Sequence, residues 1–270
     1  MKIALLSLTL LLAVARVAAR DVVVLGATEP GERAPRYTVA SGGTLMIDVL
    51  VPAAVKRDGL TYELWQAAGA VGLPLGKPVA LAGEADARGV TPVPVVFPEV
   101  KRTIEVWVKF FETAAAAPAV EAGRARVWVY PAVDWAPVAK RFKDDAGTRL
   151  VVFGESAGLR EFLNRRAVTF TDLGEAIPDK VEAGVIAAGA LTAQDWRERK
   201  HRQVPAGGRL VVFIADAEGL PGVYTTVNGT GAVTLVTLPV LERLAADPQA
   251  ETTFLKIIEQ QRHAAPAALF

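Results

Sequence analysis

The 270-residue chain contains no cysteine and only two histidines, His201 and His263. Without a thiol there is no disulfide, no cysteine nucleophile and no acylation site for a lipoprotein-type anchor. Two histidines so far apart in sequence offer no zinc spacing, so neither a metal nor another cofactor is expected. Charge excess is missing too, since 30 Lys and Arg face 29 Asp and Glu. A broad positive field that would collect nucleic acid is therefore not expected. Beyond the N-terminal segment, no stretch reaches membrane-spanning length without a charge.

That N-terminal segment reads as an address. Lys2 supplies a positive start, Ile3 to Val14 is an apolar run, and Val17-Ala18-Ala19 places small residues at the −3 and −1 positions before Arg20. The run falls short of the about 20 apolar residues a membrane span needs, and Arg16 interrupts it. Residues 1–19 are expected to be a signal peptide. The mature protein is then exported, periplasmic or extracellular, with no transmembrane segment. Having no disulfides, it must hold together by burial, for which about 250 residues suffice as two domains.

The patterning changes near Pro131. Before it, apolar residues alternate: Ile104, Val106, Val108 and Phe110 share one face of a strand, as do Ala125, Val127 and Val129. Thr44 to Val51 and Leu60 to Trp65 are similar short runs, with Gly42-Gly43, Asp58-Gly59, Gly83 and Gly123 between them. Residues 20–131 are expected to form an all-β antiparallel sandwich of immunoglobulin or fibronectin type. Trp107 and Trp128 lie opposite the aliphatic face of their strands. That outward face is expected to pack against the second domain, with sugar stacking as the alternative.

Residues 132–147 read as a linker with a short helix. From 148 to 262 strands and helices alternate. Arg149-Leu-Val-Val-Phe153 recurs as Arg209-Leu-Val-Val-Phe213, the kind of run buried on both faces of a parallel sheet. Between these lie a helix over Leu159 to Arg166, a strand near Val168 to Thr171 and the strand Gly184 to Ala188. Thr192 is expected to cap the next helix, with Asp195 at the capping-box position and Leu191 stapled to Trp196. A last strand over Ala232 to Leu238 precedes a helix opened by Asp247-Pro248, and residues 263–270 read as a frayed tail. The expectation is an α/β doubly wound parallel sheet of about five strands, in flavodoxin-like order 2-1-3-4-5. Asn228-Gly-Thr230 reads as hairpin-turn chemistry rather than a glycan acceptor.

Gly154-Glu-Ser-Ala-Gly158 carries two incompatible readings. It has the glycine spacing of a nucleophile elbow and resembles the elbow of carboxylesterase-type α/β-hydrolases. Ser156 would then be the nucleophile, with Asp216 or Asp247 as the acid and His263 as the base. Against this, the preceding hundred residues read as a sandwich, no His-Gly-Gly motif comes before Gly154, and His263 sits in a polar terminal segment. The favoured reading makes Ser156 a helix cap at the first strand-to-helix turn.

From about Gly147 to Gln260 the elements resemble the class I glutamine amidotransferase-like fold, as found in accessory domains beside β-sandwiches in bacterial carbohydrate-processing proteins. Ala183-Gly-Val-Ile-Ala-Ala-Gly-Ala-Leu-Thr-Ala-Gln-Asp195, Val204 to Phe213 and Leu238 to Ala250 carry the resemblance. The family's cysteine sits on the turn after the third strand. Here that turn would read Ala188-Gly-Ala-Leu191, so the resemblance implies a scaffold without amidotransferase chemistry. In open α/β sheets ligands bind beyond the carboxyl ends of the strands at the switch point. Gly154, Glu155, Ser156, Gly189, Thr192 and Asp216 are accordingly the ligand-binding candidates. The expectation is an exported, non-catalytic binding or assembly protein with a carbohydrate or protein partner, a serine esterase using Ser156 being the alternative.

Overall fold

The computed structural model describes residues 22–26, 34–52, 55, 59–68, 71–112, 119–144, 148–178, 181–199, 208–214, 216, 221–228 and 231–263. Residues 1–19, read above as a signal peptide, Asp58, Gly147, His201, Ala206-Gly207, positions 229–230 and residues 264–270 lie outside these, as does the side chain of His263. By its internal contacts the chain divides into two compact units, Met1–Ala132 and Val133–Phe270. Among the described residues no helix is long and apolar enough to cross a membrane.

The first unit contains β1 (Val23–Val24), β2 (Arg36–Ala40), β3 (Thr44–Leu50), β4 (Leu60–Ala68), β5 (Val71–Pro74), β6 (Val79–Ala80), β7 (Val90–Val96), β8 (Ile104–Glu112) and β9 (Val120–Tyr130). One sheet has the order β1-β3-β7 and the other β2-β9-β8-β4-β5, with β6 paired to β4. Strand alternation sends one face of each sheet inward. Ile47 and Val49 of β3 and Val93 and Val95 of β7 thus share a core with Val106, Val108 and Phe110 of β8 and Val127 of β9. Strand β7 contains Pro92 and Pro94, both on its exposed face. It is an edge strand, where a missing N–H is tolerated.

The second unit contains α1 (Ala136–Asp144), β10 (Arg149–Gly154), α2 (Ala157–Arg165), β11 (Thr171–Asp172), β12 (Val185–Leu191), α3 (Ala193–Arg199), β13 (Arg209–Ile214), β14 (Val223–Asn228), β15 (Gly231–Val236), α4 (Val240–Arg243) and α5 (Pro248–His263). The sheet order is β11-β10-β12-β13-β15-β14. Strands β10 to β13 and β15 run parallel, and β14 is antiparallel to β15. Both sheet faces are buried, which is why these strands read as unbroken apolar runs. Leu150, Val152, Val211 and Phe213 face one cluster, while Phe153, Leu210, Val212 and Ile214 face the other.

These findings overturn the expected fold class. The first unit is not an all-antiparallel sandwich, because β2 runs parallel to β9. The second is not a parallel sheet of about five strands, but a mixed sheet of six whose edge, β14, is antiparallel. Asn228, read as part of a hairpin turn, ends β14 and pairs with Gly231 where β14 and β15 meet antiparallel.

The segment read as a linker with a short helix carries α1, and its described residues pack into the second unit. Trp135, Val138 and Phe142 belong to the core of the second unit, and Trp135 meets Phe162 edge-on at 5.3 Å between centroids. The indole N–H of Trp135 donates to Glu251. The closing helix α5 extends to His263, with Asp247 Oδ1 accepting the Gln249 N–H at 2.8 Å as its cap.

Candidate functional site

Strand β10 ends where the backbone must reverse into α2. Gly154 has φ +70°, and a Cβ there would stand 2.5 Å from the Ala190 carbonyl oxygen, so only glycine fits. The next turn is tight, with the Ser156 N–H donating to the Gly154 carbonyl at 2.8 Å. Ser156 is only 3% exposed. Its hydroxyl donates to the Phe153 carbonyl at 2.9 Å and accepts the Ala190 N–H at 2.9 Å. It therefore ties the end of β10 to the neighbouring strand β12.

The helix-cap reading of Ser156 is corrected by this geometry, since its Oγ makes no capping hydrogen bond to α2. For the elbow reading, a nucleophilic hydroxyl must give its proton to a base. Ser156 borders a cleft but directs its proton to the Phe153 carbonyl, and the side chain of His263 lies outside the described residues. Gly158 shows no elbow crowding either, because a Cβ there would come no nearer than 3.8 Å to the Leu241 carbonyl. Asp216 Oδ1 accepts the Ala193 N–H at 2.7 Å, so this carboxylate is committed to the start of α3.

The remaining candidates separate in the same way. Gly189 lies inside β12, paired with Phe153, where a Cβ would stand 2.4 Å from the Phe153 carbonyl. It is buried and serves close strand packing. Ala188 to Leu191 are accordingly strand residues and not a turn, which corrects the placement drawn from the amidotransferase resemblance. Thr192 Oγ1 donates to Asp195 Oδ2 at 2.7 Å and accepts the Asp195 N–H at 3.0 Å, a reciprocal cap for α3. Glu155 alone among the six is exposed with no such commitment shown.

Sequence reasoning missed Arg160. One turn into α2, its Nε reaches both carboxylate oxygens of Asp172 at 2.9 Å, Nη1 donates to the Gly154 carbonyl at 2.9 Å and Nη2 to the Gly174 carbonyl at 2.8 Å. The fixed fork of the guanidinium lets one side chain join three segments. The Arg160 hydrogen bonds, then the Gly174 N–H, hold the Asp172 carboxyl below the ordinary carboxylate range. The legible signal was Asp172-Leu-Gly174, an Asx-turn sequence whose carboxylate had to find a partner.

Two clefts open at this end of the sheet, with Glu155 on both. One, of about 290 Å³, has Phe213, Ile214 and Leu238 along it, and Glu155, Glu161 and Glu242 with Arg165 as its charges. The other, of about 280 Å³, is lined by Glu155, Glu175, Ile177, Thr192 and Asp195 and, among the described residues, by no lysine or arginine. Both clefts are thus acidic with apolar patches, a setting that favours a ligand with a hydrocarbon body and a positive end. Among the described residues no group of three His, Asp or Glu side chains is placed to hold a metal ion.

No protein-family model matches the chain, and no curated protein matches it. Among solved structures it is similar to the crystal structure of sialyltransferase from Photobacterium damsela, at 9% identity over 67% of this chain. That match spans 35% of the sialyltransferase chain with a TM-score of 0.19, so nothing about fold or activity carries over from it.

Proposed function

We propose that the chain is an exported, non-catalytic binding protein, whose second unit receives a basic side chain of a protein partner in the cleft beside Glu155. The observation that carries this reading is the state of Ser156: buried, with its hydroxyl bonded to the Phe153 carbonyl and the Ala190 N–H. A scaffold of amidotransferase resemblance without its chemistry is consistent with it, as the chain contains no cysteine to serve as that nucleophile. Of the two expected partner classes, carbohydrate or protein, the charge of the cleft supports the second. Lysine and arginine lay their hydrocarbon stems along apolar surface while the head stays with charge or water. Phe213, Ile214 and Leu238 offer the surface, and Glu155 and Glu242 the charge.

Calorimetric titration of the purified protein with a terminally blocked lysine peptide, against its norleucine counterpart, tests this. Binding of the lysine peptide alone, weakened by salt and by Glu155→Gln with Glu242→Gln, is expected. A fluorophosphonate probe that labels the protein and fails to label Ser156→Ala would instead restore the esterase.

A further inference from the structure

The first unit carries a second constellation, on the outward face of β4, β8 and β9. Trp65 and Trp107 are direct cross-strand partners. Each indole is fixed by its N–H, Trp65 donating to Glu63 Oε2 at 2.9 Å and Trp107 to Glu105 Oε1 at 2.8 Å. Lys109 Nζ lies 4.5 Å from the Trp65 ring centre and 5.9 Å from that of Trp107. The Arg124 guanidinium lies 4.8 Å from the Trp107 ring. Glu121 steers both cations, at 2.6 Å from Arg124 Nε and 3.6 Å from Lys109 Nζ. A cleft of about 270 Å³ opens here, bounded by Trp65, Gln66, Gly72, Trp107, Lys109 and Arg124.

Two properties of this cleft point to one ligand chemistry. Among the described residues its walls bear two cations and no carboxylate, and Glu121, paired with both cations, borders a second cleft that shares Trp107 and Arg124. Its apolar surface is two indoles already held in position, so little ordering is lost when a ring settles against them. Gly72 keeps one side open, since a Cβ there would press to 3.1 Å from the Trp65 ring. The volume suits one small ring rather than a larger ligand.

We propose that this cleft binds a carboxylate-bearing sugar ring of an acidic polysaccharide. Lys109 and Arg124 take the carboxylate in competition with Glu121, and the pyranose settles on the indole surface that the two cations leave uncovered. The proposal stands independently of the cleft in the second unit.

Titration of the full chain with trigalacturonic acid, galactotriose and inorganic sulfate, followed by tryptophan fluorescence at low salt, tests it. Saturable binding of the acidic trimer is expected, at least about tenfold tighter than that of the neutral trimer or of sulfate. Lys109→Gln and Arg124→Gln should each weaken it about tenfold, and Gly72→Val should block it with no change of charge. The Arg124 side chain is 45% exposed, so its variant folds whatever Lys109→Gln does. No saturable response to the acidic trimer at millimolar concentration would overturn the proposal. So would sulfate binding as tightly as the trimer, or Arg124→Gln binding like the parent.

Discussion

Replacing Ser156 by alanine distinguishes a structural hydroxyl from a reactive one. The substitution removes a donor to the Phe153 carbonyl and an acceptor for the Ala190 N–H, and it leaves both backbone groups inside. A buried polar group stripped of its partner costs about 1–3 kcal/mol. At 3% exposure, Ser156 leaves little room for water to take over the lost bonds. The cavity left by one oxygen is small, so the unpaired N–H dominates the loss. For a unit of this size such a change corresponds to a fall in melting temperature of roughly 3–12 °C. Urea unfolding followed by circular dichroism gives the free energy, and an unchanged slope with denaturant would place the effect in stability rather than in the unfolded chain. Short-chain nitrophenyl ester hydrolysis should stay at buffer level in parent and variant alike. A variant as stable as the parent would refute the bridging role.

The glycines flanking Ser156 should behave in opposite ways. Gly154→Ala meets the Ala190 carbonyl at 2.5 Å from a left-handed backbone and should cost about 2 kcal/mol or more. Gly158→Ala enters open space in the first turn of α2 and should stabilise by roughly 0.5 kcal/mol, both read by urea unfolding. Equal losses would mean that the segment is built as an elbow after all. Asp172 predicts an acid dependence: its carboxyl titrates lower in the folded protein than in the unfolded chain. Its stabilisation is therefore complete above the unfolded value of about 4 and disappears as pH falls through the folded value. Stability curves of parent and Asp172→Asn should run apart near neutrality and converge in acid. A constant gap down to the lowest pH would contradict the Arg160 pairing.

What could be read from the sequence was whatever depends on neighbours in the chain. Leu150 to Phe153 and Leu210 to Phe213 announced buried strands, because a run apolar on every residue has no solvent face to spend. Thr192 with Asp195, and Asp247 with Pro248, announced helix starts through side chains that bond within three residues. Pairings between distant segments left no such trace. The edge position of β2 beside β9 is decided by residues far away, and the prolines of β7 hid a strand whose inward residues, Thr91, Val93 and Val95, are nearly fully buried. Strand β14, Val-Tyr-Thr-Thr-Val-Asn, is strand-prone but does not alternate cleanly. For the site, the Gly-x-Ser-x-Gly spacing located the right turn and misassigned the hydroxyl, since the hydrogen bond from Ala190 comes from another strand. Arg160 was invisible because its three acceptors converge only after β10, α2 and β11 are in place.

The parallel pairing of β2 with β9 has a consequence for how the first unit comes together. Arg36 meets Arg126 and Ala40 meets Tyr130, so an early strand must wait for the last strand of its unit before its ladder closes. Hairpins such as β4 with β5 or β8 with β9 form from adjacent sequence and can assemble first, whereas a contact of such range delays the rate-limiting step. A chain emerging from the ribosome would thus hold Arg36 to Ala40 without its sheet partner until nearly all of the unit had been made.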